Sequence, residues 1–146
     1  MVKIGRKTYR MAVAIAAVAT FSSGGNAGDV PASGTQATNP THITIEQWRT
    51  YQTQVTSLPG VQCRNVEADQ FECDSASRQT IWIFTREGHP AHPALTSGVV
   101  VTKNGQMGID RSGAYAGSET AFHAWINQFL LLDQQQVAGW QKRLQQ

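Results

Sequence analysis

Residues 79–85 read "QTIWIFT". Ile81 and Ile83 alternate with Trp82 and Phe84, so both faces of this segment are apolar. Successive side chains on a strand point to opposite faces. A strand with no polar face needs cover on both sides, which makes 79–85 a central strand rather than an edge. The rest of the chain has to supply neighbours and layers for it.

Those neighbours are legible. In "SGVVVTKNGQMGID", Asn104-Gly105 lies between two apolar runs, the strongest local signal for a two-residue type I′ hairpin. "VQCRNVEADQFECDS" has period-two character around a turn at "EADQ". If Cys63 lies opposite Cys73, Asn65 opposes Phe71 and the loop centres on Ala68. About five antiparallel strands in a meander follow from these segments.

Helices flank them. In "THITIEQWRTYQTQVTSLPG", Thr44 and Gln47 form a capping box, and Ile43 with Trp48 a hydrophobic staple. Trp48, Tyr51, Val55 and Leu58 make one helical stripe, and Pro59-Gly60 stops it. At the other end Ser118 caps a long helix, with Glu119 in its first turn and Lys142 and Arg143 in its last, as the helix dipole prefers. Its stripe of Phe122, Ile126, Phe129, Val137, Trp140 and Leu144 is interrupted by "DQQQ", Asp133 to Gln136, which predicts a kink, fray or second short helix after about Leu132. The expected fold is α+β: N-terminal helix, antiparallel meander of about five strands, long C-terminal helix, with both helices on the sheet in two layers.

The chain before this domain has another character. Residues 1–10 carry Lys3, Arg6, Lys7 and Arg10 and no acid. An apolar run from Met11 to Phe21 follows, too short to span a bilayer but right for the core of an export signal. Gly25 and Ala27 place small residues for cleavage after Ala27. The expected organisation is a signal peptide over 1–27, a disordered tether over 28–40 and one α+β domain over 41–146. The tether "GDVPASGTQATNP" has Val30 as its one large apolar residue.

Cleavage would change the charge. The formal charge of +2 loses four cations and becomes −2, with eight Lys/Arg against ten Asp/Glu. No basic stripe remains for nucleic acid, no polybasic patch for a membrane surface, and no stable membrane anchor. In an exported chain, Cys63 and Cys73 read as one structural disulfide, since "CRNVEADQFEC" has neither metal-ligand nor CxxC redox spacing.

Chemistry-bearing motifs are few. There is no GxSxG elbow, no phosphate loop and no EF-hand spacing. Glu67, Asp69, Glu72 and Asp74 gather at the first hairpin as a solvated rim. "REGHPAHPA" holds two of the four histidines, each before a proline. Residues before proline are driven to extended backbone. A stiff polyproline-like strip over 89–93 is therefore expected, with His89 and His92 pointing the same way roughly 9 Å apart. Two nitrogens on one Zn²⁺ sit within about 4 Å of each other, so this strip disfavours chelation. It suits a rail, with Arg86 beside it, that meets a partner at two points.

The functional expectation is a small exported binding module that recognises another protein or an envelope component and needs no cofactor. Inhibitor, immunity-type and assembly roles all fit. A small metal-dependent hydrolase using His89, His92 and His123 or His42 is the first alternative. A structural envelope protein that oligomerises through Trp140 and Leu144 of its C-terminal helix is the second.

Overall fold

A computed structural model describes residues 40–146. The signal peptide expected over 1–27, and the tether up to residue 39, lie outside the described residues.

The elements are β1 (Thr41–His42), α1 (Ile45–Thr56), β2 (Gln62–Glu67), β3 (Gln70–Ser75), β4 (Thr80–Thr85), β5 (Ala94–Lys103), β6 (Gln106–Tyr115) and α2 (Glu119–Leu144). The fold is α+β: two helices and a six-stranded, mostly antiparallel sheet in the order β1-β6-β5-β4-β3-β2. The expected meander is present as β2 to β6. The addition is β1, two residues pairing parallel with Ala114 and Tyr115.

The local caps and turns form at the residues that encode them. Thr44 and Gln47 form the reciprocal capping box, and Ser118 Oγ accepts the Ala121 N–H. Asn104 and Gly105 have φ of 53° and 76°, as a type I′ turn requires. Cys63 opposes Cys73 and is bonded to it, and Asn65 opposes Phe71. Beyond Asn65 the register shifts by a bulge, so Glu67 pairs with Gln70 and Ala68-Asp69 make the turn.

The layering differs from the expected two layers. β4 has Ile83 in one buried cluster, with Phe122, Trp125 and Ile126 of α2, and Phe84 in the other, with Trp48 and Val55 of α1. Adjacent residues on a strand face opposite ways, so the helices lie on opposite faces and the sheet runs between them. The physical cause is the doubly apolar β4, which one layer of helices leaves half uncovered. Tyr51, placed on the α1 stripe by its spacing, is instead 37% exposed.

α2 runs unbroken for 26 residues, without the kink expected after Leu132. Asp133 keeps the inward position that the stripe assigns to an apolar residue. It is buried, and it receives Nε and Nη2 of Arg111 from β6 at 2.8 and 2.6 Å. A bidentate guanidinium–carboxylate pair thus replaces an apolar contact in the middle of the interface. Phe129 lies beneath the guanidinium, 5.1 Å from its ring centroid. Trp140, taken in one reading as part of an exposed oligomer surface, is buried, whereas Leu144 is exposed.

Candidate functional site

The segment 86–93 is not an extended strip. It is two successive turns: the His89 N–H donates to the Arg86 carbonyl at 3.1 Å and the His92 N–H to the His89 carbonyl at 3.0 Å. Gly88 supplies the φ of 93° that the first turn requires. Pro90 takes the second position of the next turn, which its fixed φ suits. The rule for residues before proline excludes the helical region but leaves turns open, and local hydrogen bonds decide for turns here.

The two imidazoles point away from a common partner and into the protein. His92 meets Trp48 of α1 edge-on at 5.1 Å, and its Nδ1 lies 3.2 Å from the Thr85 hydroxyl. His89 meets Trp125 of α2 at 5.3 Å, and its Nδ1 accepts the Ala91 N–H at 3.1 Å. With Nδ1 as acceptor, the proton of the neutral ring sits on Nε2. Burial pushes the His89 imidazole below its usual range; Asp69 and Glu67 oppose this, and His92 adds to it. The loop is a brace between α1 on one face and α2 on the other, closing the same end of the sheet.

The remaining expected residues are dispersed. The Arg86 guanidinium lies over the Phe71 ring at 5.2 Å, and the Arg86 main-chain N–H donates to the Asp69 carbonyl. His123 faces outward on α2, 3.6 Å from Glu119. His42, on β1, packs on the Tyr115 ring. Among the described residues no three His, Cys, Asp or Glu side chains come together to hold a metal ion. Of the acidic rim, Glu72 is buried and ion-paired to Arg64 across the hairpin. Burial pushes its carboxyl up while Arg64 pulls it down.

A groove of about 470 Å³ lies elsewhere, between the β5–β6 hairpin and the C-terminal half of α2. Gln106 to Arg111 of β6, with Val101 and Lys103 of β5, form one wall, and Leu130, Asp133, Gln134, Val137 and Gln141 the other. Its size is that of an ordinary ligand site. Its four ionic groups are two internal pairs: Arg111 with Asp133, and Lys103 with Asp110 at 3.2 Å. Sequence reading missed this site. The available signal was a single Arg at an inward position of one strand and a single Asp on the apolar stripe of the last helix, opposite charges each costly to bury alone.

No family model matches the chain, and no curated protein or solved structure matches it.

The Cys63–Cys73 disulfide fits an oxidising, extracellular environment. No helix among the described residues is long and apolar enough to cross a membrane.

Proposed function

We propose that the protein is a small exported binding module, periplasmic or secreted after cleavage behind Ala27, and that it holds a segment of a partner protein in the groove between β6 and α2. The observation that carries this reading is the groove itself. It combines apolar side chains (Met107, Ile109, Leu130, Val137) with amides (Gln106, Gln134, Gln141) and leaves its charges internally neutralised. That mixture suits recognition without covalent chemistry. The turns of 86–93 support the sheet end, and their histidines are engaged with Trp48 and Trp125, so the rail reading of Arg86, His89 and His92 gives way to the groove.

A photo-crosslinking residue at Gln134, compared with one at Gln54 on exposed α1, tests this in the native host. Adducts of one defined mass from position 134 alone, reproduced with the purified partner at one-to-one stoichiometry, are expected. Equal labelling from both positions, or none, overturns it.

A second reading rests on Leu131 and Leu132, side by side on α2 and 61% and 47% exposed. Adjacent exposed leucines suit self-association. A mass that rises with concentration and returns to monomer in Leu131→Glu would favour an oligomer built through α2.

A further inference from the structure

The pairing of β6 shows which of its main-chain groups point to its outer edge, away from β5. Ile43 N–H donates to the Tyr115 carbonyl, so Tyr115 faces the outer, β1 side. Ala116 N–H donates to the Pro93 carbonyl, on the β5 side. A strand residue directs its N–H and C=O to one side, and successive residues alternate. The β5–β6 register is unbroken from Lys103↔Gln106 to Ala94↔Tyr115. Met107 and Ile109 therefore turn both N–H and C=O to the outer edge. Among the described residues that edge is paired with another strand only at Ala114 and Tyr115, by β1.

The lining agrees. Six consecutive residues, Gln106 to Arg111, border the groove. A wall formed by one face of a strand shows alternate residues. Consecutive ones bring main chain as well as side chains to the groove, and Val101 and Lys103 of β5 complete this wall. Across from it, Leu130, Gln134, Val137 and Gln141 are spaced by four, three and four, a single stripe of α2. From first to last residue the strand wall is roughly 17 Å long and the helix wall roughly 16 Å. The two walls run for matching lengths.

Resting on the binding reading above, we propose that the occupant is an extended peptide segment of a partner protein that adds to β6 as a further strand. Its main chain bonds to Met107 and Ile109, and every second side chain lies on Leu130 and Val137. Strand addition between a sheet edge and a helix uses main-chain bonds for affinity and side-chain pockets for selectivity. Because Lys103–Asp110 and Arg111–Asp133 neutralise each other, the segment is uncharged over its five or six central residues, with apolar residues at alternate positions. The chain's own residues 28–39 carry Val30 as their one large apolar residue and lack that pattern.

The test is selection of random twelve-residue peptides displayed on phage against the full-length protein, followed by NMR hydrogen exchange with the best binder. Alternating apolar peptides are expected, slowing exchange of the Met107 and Ile109 amides at least tenfold. Gln134→Lys and Gln141→Lys, both at exposed positions, should weaken binding at least tenfold, and Gln54→Lys should not. No enriched peptide, a helical bound peptide, protection elsewhere, or Met107 and Ile109 amides already protected in the protein alone each overturn strand addition. A one-to-one crosslinked partner at Gln134 without any peptide binder would leave the binding function standing and remove this mode of it.

Discussion

Gly98 and Arg111 face each other across β5 and β6, and a β-carbon on Gly98 would lie 2.7 Å from Nη2 of Arg111. The glycine is the floor on which the guanidinium rests. Arg111 cannot swing aside, because Asp133 holds two of its nitrogens and Phe129 lies against its plane. Gly98→Ala should cost about 1–3 kcal/mol, the usual range for overpacking, read from urea unfolding. If the clash acts through the ion pair, the cost should shrink in an Arg111→Met, Asp133→Leu background. An equal cost in both backgrounds would place the strain elsewhere.

Breaking the pair from one side should be worse than removing it. Asp133→Ala removes the carboxylate that accepts two N–H groups of the buried guanidinium, and about 3–5 kcal/mol is the expected loss. Replacing both partners together by Met and Leu should recover most of it. Circular dichroism during denaturation checks both, and a double variant no better than Asp133→Ala would show that the pair itself organises the interface.

The His89 brace sets a pH dependence. Its folded-state affinity for a proton is lowered, first by burial. In the window below the ordinary value of 6.5, the unfolded chain then binds more protons than the folded one. Stability rises with pH there. The contribution is complete above that value and is lost as pH falls through the depressed folded value. Melting temperatures from pH 7.5 down to 5 should fall more steeply for the natural protein than for His89→Asn, whose side-chain oxygen can still accept the Ala91 N–H. Parallel slopes would assign the effect to other groups.

The disulfide joins neighbouring strands ten residues apart in sequence. The chain-entropy treatment gives about 2–3 kcal/mol for so short a loop. Cys63→Ser with Cys73→Ser should lose that amount in denaturant unfolding and remain folded, because Phe84, Trp48 and Val55 still fill the core around position 73.

The β5–β6 turn supplies an independent check on the hairpin that forms the groove. Gly105 has φ of 76°, where an L side chain costs about 1–2 kcal/mol. Gly105→Ala should lose this much and broaden the β6 amide signals in NMR spectra. Gly108→Ala, whose added carbon meets Val101 at an ordinary 3.8 Å, should be close to neutral.

The sequence by itself determined whatever depends on near neighbours. The Thr44–Gln47 cap, the Asn104-Gly105 turn, the Cys63–Cys73 register and the strand order of the meander all rest on interactions within a few residues or across one tight turn. Their physics is complete in a short window. The tertiary structure decided what depends on meetings between distant segments. Asp133 reads as a break in α2 until Arg111, 22 residues earlier, arrives to neutralise it. His89 and His92 read as a free pair until Trp125 and Trp48 close on them from opposite faces. The groove has no local signature, since one wall belongs to the β5–β6 hairpin and the other is a helix stripe. Only the packing of α2 over β6 brings the two together.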